Sequence, residues 1–338
     1  MKVWQVSREW SIDGMDLVEQ PEPTPGPGQV VVRMRAASLN YRDLLTVEGK
    51  GGSYRLPLIP FSDGAGEIAS LGAGVTRVAV GERVCPMFFQ SWFDGRPSAS
   101  SRRLALGGTG PGVLQELMVL DAEGVSRMPS NLTFEEAATL PCAALTAWRA
   151  LFEEAHLRPG DTVLVQGTGG VSIFALQLAK LAGAAVIVTS SSDDKLERAK
   201  TLGADHTINY RSVADWGKAA AQWAGGGVDH IVEVGGKDTL PQSIDAARVG
   251  GTILMIGVLS GFAQQIAIPS LFGKNLHVIG LSVGSRRMFE QMTWAIERNQ
   301  MKPVVDRTVA FESVPEALNL MKQGGHFGKI VVQFASFD

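Results

Sequence analysis

The order of apolar and polar residues along the chain changes near Pro129. Before that residue, short alternating runs follow turns rich in proline and glycine, which is typical of β-structure. The same character returns from about residue 269, and a stretch rich in glycine, serine and arginine at 94–112 predicts an exposed loop. The strands predicted for these outer parts are 29–34, 74–81, 113–120 and 329–332.

The central part of the chain alternates apolar runs with amphipathic segments that end at glycines such as Gly183 and Gly203. The predicted strands are 161–166, 185–189, 206–209, 230–234, 252–256 and 275–281, and the predicted helices are 170–182 and 194–202. Such alternation is typical of a parallel sheet with crossover helices. The predicted fold class is α/β, with a doubly wound parallel sheet at 129–268 inserted into a mainly β domain made of 1–128 and 269–338.

Length and composition agree with a two-domain globular protein. The chain has 338 residues, of which 45% are hydrophobic and 19% charged. A net charge of -3 argues against a nucleic-acid partner, because phosphate binding needs a basic face. The apolar runs are too short to cross a bilayer and no secretory signal is evident, so we expect a cytoplasmic protein without a membrane partner. Two cysteines imply no disulfide framework.

A glycine-rich turn between a predicted strand and a predicted helix is the first candidate site. The six residues from Gly167 to Ser172 read Gly-Thr-Gly-Gly-Val-Ser. This context is that of a dinucleotide fingerprint, in which the backbone approaches a pyrophosphate at the helix N-terminus. Ser172 replaces the third glycine and is small enough for close helix–strand packing. We therefore predict a Rossmann site whose phosphate-binding residues are Gly167, Thr168, Gly169, Gly170 and Val171.

The end of the next predicted strand bears on the choice between NADH and NADPH. An NAD-binding protein commonly has an acid there for the ribose 2′-hydroxyl. Here Thr189 to Ser192 carry only hydroxyl groups. Tyr210 is a candidate contact of a 2′-phosphate, and Lys195 is either a second such contact or a solvated surface lysine. Asp193 and Asp194 lie nearby, either as the ribose acid or as carboxylates favoured in the first turn of a helix. NADPH is the cofactor predicted from this pattern.

The types of metal ligand in the chain argue against zinc. A structural zinc commonly takes four cysteines, whereas the chain has only Cys85 and Cys142. The first of its five histidines is His156, so none can join those cysteines from the N-terminal region. We interpret both cysteines as small buried residues and predict no metal site. Any polarisation of a carbonyl then has to come from hydrogen-bond donors.

Several motifs together resemble the medium-chain dehydrogenase/reductase family. They are Ser-Leu-Asn-Tyr-Arg-Asp at 38–43, Ile-Pro-Phe-Ser-Asp-Gly-Ala-Gly at 59–66, Pro-Cys-Ala-Ala-Leu-Thr-Ala-Trp at 141–148, the turn at Gly167, and Gly-His-Phe-Gly-Lys at 325–329. The resemblance spans essentially the whole chain. It implies that the inserted Rossmann domain is accompanied by a GroES-like catalytic domain.

The chain departs from the zinc alcohol dehydrogenases of that family. Asn40 stands where they have a cysteine ligand, Phe61-Ser62-Asp63 stands for their Gly-His-Glu, and only Cys142 matches a ligand. Arg42 replaces the hydroxyl residue of their proton relay. The Asn-Tyr-Arg-Asp form is similar to the zinc-free quinone oxidoreductase branch.

That branch implies NADPH, with Lys195 and Tyr210 at the 2′-phosphate and Thr146 near the nicotinamide. It also implies that Asn40 and Tyr54 line the substrate pocket, and we regard both as catalytic candidates. Asn40 offers an amide donor where a metal would otherwise sit. Tyr54 is either a hydrogen-bond donor to developing negative charge or a pocket wall without a proton role. Ser190 and Val258 complete the predicted cofactor-binding residues.

The predicted reaction is hydride transfer from NADPH to a quinone or an α,β-unsaturated carbonyl. Alternatives are zinc-dependent alcohol oxidation through Cys142 and Asp63, and a non-catalytic NADPH-binding protein. An acyl-CoA substrate remains open, because the arginines of the 94–112 loop offer either CoA-phosphate contacts or only a solvated basic surface. The family resemblance and the apolar run 277–281 lead us to expect a homodimer.

Overall fold

The structure, a computed structural model, describes residues 1–52 and 54–335 and divides into two compact units. The first unit comprises Met1–Leu145 and the segment that begins at Val283. The second comprises Thr146–Ser282. The polypeptide of the first unit is thus interrupted by the whole of the second, as an inserted domain requires.

The strands alternate with helices mainly in the second unit. They are β1 (Lys2–Val6), β2 (Met15–Glu19), β3 (Gln29–Ser38), β4 (Asp63–Leu71), β5 (Arg83–Pro86), β6 (Leu117–Asp121), β7 (Val125–Arg127), β8 (Thr162–Gln166), β9 (Ala185–Ser190), β10 (His206–Asn209), β11 (Val228–Glu233), β12 (Ala247–Met255), β13 (His277–Gly280), β14 (Val305–Ala310) and β15 (Lys329–Gln333).

The described part of the chain contains ten α-helices of four to thirteen residues. They are α1 (Tyr41–Val47), α2 (Phe134–Ala137), α3 (Leu145–Trp148), α4 (Gly170–Leu181), α5 (Asp193–Thr201), α6 (Trp216–Trp223), α7 (Leu240–Ala246), α8 (Ile268–Phe272), α9 (Arg286–Arg298) and α10 (Val314–Gln323). Two π-helical segments, Leu140–Ala144 and Arg149–Glu154, flank α3, and 3₁₀ turns occur at Ala122–Gly124 and Phe311–Ser313.

The first unit is built on a sheet in the order β14-β15-β3-β4-β5-β7, with β6 also paired to β3 and a separate β1-β2 ribbon. β14 and β15 run parallel, and the remaining pairs are antiparallel. β3 is ten residues long and pairs with three strands, so it is the centre of the unit. Its core gathers apolar side chains from both chain segments, among them Val32, Met34, Phe311 and Ile330.

The second unit holds a six-stranded, all-parallel sheet in the order β10-β9-β8-β11-β12-β13. This is the doubly wound order in which the chain reverses direction beside its first strand. Val163, Leu164 and Val165 of that strand are fully buried, as expected for a sheet covered on both faces. The predicted fold class, α/β with a doubly wound parallel sheet inserted into a mainly β domain, is confirmed.

Three predicted local features are wrong, displaced or only partly correct. Residues 74–81 form turns rather than a strand, because Gly74 and Gly81 take the left-handed conformation with φ of 81° and 82°. The strand predicted at 113–120 begins only at Leu117. The loop at 94–112 is present, but its second half is folded inward and Leu106 is 1% exposed.

The unit boundaries also differ from the predicted ones. Residues 129–145 lie in the first unit, where the Cys142 backbone N–H donates to Asp63 at 2.8 Å. Residues 269–282 lie in the second unit, because β13 pairs in register with β12. The chain therefore leaves and re-enters the first unit about fifteen residues later than predicted. No described helix is both long enough and apolar enough to cross a bilayer.

Candidate functional site

The turn after β8 has the geometry of an anion cradle. Gly167 takes φ of 68°, and Gly169 is the N-cap residue of α4 with no side-chain cap. A Cβ built on either glycine would meet nothing within 4 Å, so both face open space. The first N–H groups of this twelve-residue helix are therefore left for an external acceptor, and they carry the positive end of the helix dipole. A dinucleotide pyrophosphate fits this arrangement.

The remaining residues of the turn hold it against the sheet. Thr168 is 5% exposed and Val171 is half-buried, while Gly170 begins α4. Ser172, which replaces the third glycine of the fingerprint, donates its hydroxyl to the carbonyl of Gln166 at 2.6 Å. The serine thus keeps the helix close to the end of β8.

The ends of β9 and β10 bring the predicted ribose-binding residues together. The Tyr210 backbone N–H donates to the Ser190 carbonyl at 3.1 Å. Ser192 caps α5 by accepting from the Lys195 backbone N–H at 3.4 Å. Asp193 Oδ1 accepts from Asn209 Nδ2 at 2.7 Å, which gives this carboxylate a partner within the unit. Ser190 is buried and Tyr210 is 44% exposed, so the tyrosine ring is available at the surface of this edge.

Two further cofactor candidates lie elsewhere in the second unit. Thr146 belongs to α3, between the two π-helical segments, and is 2% exposed. Val258 follows β12, and a Cβ on Gly236 would meet its Cα at 3.2 Å. A bridge between Gly236 and Gly261 joins the two loops that follow β11 and β12. Val258 is therefore part of the carboxyl-end surface of the sheet, where ligands of doubly wound folds bind.

A buried carboxylate at the end of β11 was not predicted from the sequence. Glu233 is fully buried and accepts five hydrogen bonds. Its donors are the Gly235 and Gly236 backbone N–H groups, the Gln166 amide and the Thr239 and Ser243 hydroxyls, at 2.5 to 2.9 Å. Five donors compensate the desolvation of the acid, and they fix the loop that follows β11 beside the end of β8.

Replacing Glu233 by glutamine is expected to lower the thermal midpoint. The amide offers one acceptor oxygen, and its NH₂ group would face existing donors, so buried groups lose their partners. We expect a cost of about 2 kcal/mol, which for a unit of this size corresponds to a fall of roughly 5 °C. Calorimetry measures this, and Glu197→Gln on the exposed face of α5 is the control, expected to change the midpoint little. Equal midpoints for both variants would contradict a structural role for the network.

The catalytic candidate Asn40 meets Asp63 and Lys329 because of strand register. Asn40 follows the end of β3, Asp63 begins β4 and Lys329 begins β15. Antiparallel pairing places Ser38 opposite both Asp63 and Val331, and the Leu39 backbone N–H donates to Ile330 at 3.0 Å. Residues far apart in the chain are therefore fixed at one edge of the sheet.

Among the described residues, only the oxygen of the Asn40 side-chain amide has a hydrogen-bond partner. Its Oδ1 accepts from Lys329 Nζ at 2.6 Å, and the same ammonium group donates to the Leu39 carbonyl. Asn40 is 8% exposed, and its Nδ2 is a buried donor without a hydrogen-bond partner among the described residues. Because an unsatisfied buried donor is unfavourable, it is the type of group that a ligand oxygen satisfies.

Asp43 and Arg42 support the loop that carries Asn40. The Asp43 carboxylate accepts from the Asn40 backbone N–H at 2.8 Å and from Arg42 Nη1 at 3.0 Å. Arg42 also donates to the Leu106 and Gly107 carbonyls at 3.1 and 2.9 Å. These hydrogen bonds go to backbone groups or join Arg42 to Asp43. The two side chains therefore fix the loop that carries Asn40.

Asp63 is a fully buried acid beside Lys329. Its Oδ1 accepts from the Ser62 hydroxyl at 2.7 Å and its Oδ2 from the Cys142 backbone N–H at 2.8 Å. Cys142 lies in a π-helical turn, where its N–H is free to point away from the helix. Burial raises the pKa of Asp63 to about 6, although the Lys329 ammonium and the Ser62 hydroxyl act in the opposite direction. The Asn40 amide also favours the carboxylate, without a hydrogen bond of normal geometry between them.

The raised pKa of Asp63 makes stability depend on pH. A carboxyl group whose pKa is higher in the folded state stabilises the fold below its unfolded pKa, and this contribution is lost as the pH rises through about 6. Between pH 7.5 and pH 5 the wild type should therefore gain about 1.4 kcal/mol relative to Asp63→Asn. Thermal midpoints of both proteins at the two pH values measure this difference. A constant gap, or one that moves the other way, would contradict a raised pKa.

The Tyr54 hydroxyl makes a hydrogen bond within its own loop. Its hydroxyl donates to the Gly51 carbonyl at 2.9 Å. The side chain lines a cavity of about 500 Å³ together with Gln5, Gln20 and Thr109, and Asn40 is not among the residues of that lining. The structure thus brings Asn40, Asp63 and Lys329 together, but it places the Tyr54 hydroxyl against its own loop.

The residues around Cys142 do not fit a zinc ion. No group of three or more histidine, cysteine, aspartate or glutamate side chains in the described part of the chain is arranged to hold a metal. Both oxygens of Asp63 already accept hydrogen bonds, and the Lys329 ammonium occupies the same cluster. Desolvation and the nearby Asp63 raise the pKa of the Cys142 thiol, whereas a zinc ligand has to be a thiolate. Cys85 is fully buried and donates to the Ala137 carbonyl at 3.5 Å.

Both units contain segments that match known protein families. Residues 26–130 match the alcohol dehydrogenase GroES-like domain, and residues 170–298 match the zinc-binding dehydrogenase family. A zinc-type alcohol dehydrogenase-like protein of Schizosaccharomyces pombe is 45% identical over 91% of each chain. An acryloyl-coenzyme A reductase of Metallosphaera sedula is 28% identical over 94% of this chain and 96% of its own.

Solved structures show the same two-unit fold. One from Sinorhizobium meliloti, described as an alcohol dehydrogenase, superposes with a TM-score of 0.92 at 45% identity and covers 98% of each chain. An NAD-dependent alcohol dehydrogenase has a TM-score of 0.91 at 33% identity, covering 99% of this chain and 100% of its own. A crotonyl-CoA carboxylase/reductase in complex with NADP has a TM-score of 0.88 at 25% identity, covering 98% and 94%.

Proposed function

The chain belongs to the medium-chain dehydrogenase/reductase superfamily of oxidoreductases, and within it we propose a zinc-independent reductase of the quinone oxidoreductase-like branch. Its proposed reaction is the NADPH-dependent reduction of a quinone or an α,β-unsaturated carbonyl. The observation that carries this proposal is the buried, unpartnered Nδ2 of Asn40, at the position where zinc-dependent members have a cysteine ligand.

The reaction balances with one hydride and one proton. The bound reduced nicotinamide supplies the hydride. Asn40 binds the acceptor by donating Nδ2–H to its carbonyl oxygen, and this hydrogen bond strengthens as an electron pair moves onto that oxygen. The carbon or oxygen that remains anionic then takes a proton, so that a saturated ketone or a quinol leaves and NADP⁺ remains.

Water is the proton donor that the local contacts favour. The Tyr54 hydroxyl already donates to Gly51, and it would have to leave that carbonyl before it could donate to a substrate. We therefore assign Tyr54 no proton-transfer role and treat it only as part of the wall of the cavity of about 500 Å³. Arg42 and Asp43 hold the Asn40 loop and transfer no proton.

NADPH is proposed on the contacts at the ends of β9 and β10. Ser190 and Tyr210 lie together there, Lys195 is one turn into α5, and Asp193 is engaged by Asn209. An acid that already has an amide partner competes poorly for the ribose 2′-hydroxyl, and Lys195 supplies the charge that a 2′-phosphate needs. A structural neighbour in complex with NADP supports this choice, and one described as NAD-dependent supports the alternative.

Enoyl thioesters are a second substrate class. This candidate is favoured by the similarity to an acryloyl-coenzyme A reductase and to a crotonyl-CoA carboxylase/reductase. The same Asn40 donor would serve the thioester carbonyl, and the exposed Arg102 and Arg103 would meet CoA phosphates. We further propose a cytoplasmic homodimer formed through β13, the edge strand of the parallel sheet, whose Val278 is 43% exposed.

Initial rates and metal analysis of one sample test the proposal. NADPH and NADH are each combined with a quinone, an enone and an enoyl-CoA, and the zinc content is measured per chain. Turnover with NADPH in metal-free protein is the expected result, and the acceptor used fastest identifies the substrate class. One equivalent of zinc with alcohol oxidation would instead support the zinc-dependent alternative. Tight NADPH binding without turnover of any acceptor would support the non-catalytic one.

A further inference from the structure

The Lys329 side chain places a positive charge beside Asn40, whose amide is the group that binds the acceptor in the proposed reaction. It is 3% exposed and lies beside Asn40, Asp63 and the Leu39 carbonyl. Neither of its two hydrogen bonds is to a carboxylate. The nearby carboxylates of Asp63 and Asp43 offset the cost of burying this charge, but the hydrogen bonds that orient the ammonium group go to the neutral oxygens of Asn40 and Leu39.

The contact with Asn40 decides how the amide is oriented. An amide side chain has one acceptor oxygen and one NH₂ group, and the two exchange places when the group rotates. Because an ammonium group can only donate, Lys329 requires the oxygen of Asn40 to face it. The NH₂ group is then turned to the opposite side, where it acts on the nearby Asp63 carboxylate but makes no hydrogen bond of normal geometry in the described part of the chain.

The charge also changes the strength of the amide as a donor. Donation from a cation to Oδ1 withdraws electron density from the amide and makes its N–H groups more acidic, since hydrogen bonds in a chain polarise one another. A more acidic N–H group binds an oxygen more strongly as negative charge develops on it, so the effect of Lys329 reaches the reacting oxygen through Asn40.

We propose that Lys329 is the resident cation of the site, a positioning residue that fixes the Asn40 amide and stabilises, through it, the oxyanion of the reduced acceptor. It supplies part of what a zinc ion supplies in metal-dependent members of the superfamily. This inference rests on the proposed function for the identity of the acceptor. Its chemical content is a binding site for an enolate- or phenolate-like oxygen made by Asn40 and Lys329.

A cycle of four proteins tests the coupling: wild type, Lys329→Met, Asn40→Ala and the double variant. Methionine is unbranched and only one atom shorter than lysine, and the buried Asp63 can take up a proton when the cation is removed, so the fold is expected to persist. Lys329→Met should lower kcat about 10- to 100-fold with a smaller change in KM. If Lys329 acts through Asn40, the double variant is no slower than Asn40→Ala alone. Fully additive losses would mean that Lys329 acts independently of Asn40, and would overturn the proposal.

An equilibrium measurement separates this inference from the proposed reaction. The affinity for 4-nitrophenolate at a pH where it is ionised, read from its absorbance in the presence of NADP⁺, requires no turnover. We expect Lys329→Met and Asn40→Ala each to weaken it about tenfold or more, and the exposed Lys322→Met to leave it unchanged. Loss of affinity in both variants with no turnover of any acceptor would refute the proposed reaction and retain the oxyanion site. No phenolate binding, or equal binding by all variants, would overturn the inference itself.

Discussion

Replacing Asn40 by alanine is expected to lower kcat about 10²- to 10³-fold, which is the usual effect of removing one hydrogen-bond donor from an oxyanion site. The reason is that Nδ2 is the only buried donor of the cluster in the described residues that lacks a partner. Since the bond to the acceptor strengthens as charge develops, kcat should fall much more than KM rises. Steady-state rates with the preferred acceptor of the wild type measure both constants.

The control for this prediction has to separate chemistry from folding. Asn40→Asp keeps the side-chain shape and gives Lys329 a carboxylate partner, but it removes the NH₂ donor, so it should be as inactive as Asn40→Ala while retaining the thermal midpoint. Asn319→Ala changes an exposed asparagine of α10 in the same unit and should leave both constants unaffected. Near-normal kcat in Asn40→Asp would exclude the amide as the donor.

Replacing Lys195 by alanine is expected to raise the KM for NADPH about 10- to 100-fold and to leave the KM for NADH nearly unchanged. The 2′-phosphate is present only in NADPH, and a charge-assisted hydrogen bond to it contributes roughly 1.5 to 3 kcal/mol. The ratio of kcat/KM for the two cofactors should therefore fall by the same factor. Initial rates over a range of cofactor concentrations determine it, and the wild-type preference should weaken at high salt.

Lys200→Ala is the matched control for the cofactor prediction. Lys200 lies on the same helix and is paired with Glu197 at 2.6 Å, so its removal should not change the preference. If Lys195→Ala raised both KM values equally, Lys195 would bind a part that the two cofactors share. If the wild type preferred NADH, Asp193 would be the ribose acid, and Asp193→Asn should then weaken NADH binding.

The parallel sheet was predictable because its signals are local. The strands of the second unit are four to nine residues long and β8 and β9 are largely apolar, while helices such as α4 and α5 are followed by glycines with positive φ. The glycine-rich turn was found for the same reason, since its residues are consecutive. The outer strand predicted at 74–81 failed because alternating valines also suit a turn in which Val78 is buried and Val80 is 63% exposed.

The functional clusters were harder to predict, because their members are distant in the chain. Asn40 and Cys142 stood out through the family motifs, but nothing in the sequence links Lys329 to Asn40 across a separation of 289 positions. Only the pairing of β15 with β3 brings them together. Glu233 was overlooked because an acid at the end of an apolar run suggests an exposed strand end, whereas five donors from three segments surround it.

The pairing of β15 with β3 also determines when the site can form during synthesis. Asn40 and Asp63 leave the ribosome early, but Lys329 follows only after the whole of the second unit has been translated. Contacts of such long sequence separation close slowly, because the loop entropy is lost before the contacts form. Domains generally fold as units while translation proceeds. The parallel sheet is therefore expected to reach its native form first and to bind dinucleotide in a nascent chain that cannot yet turn over substrate.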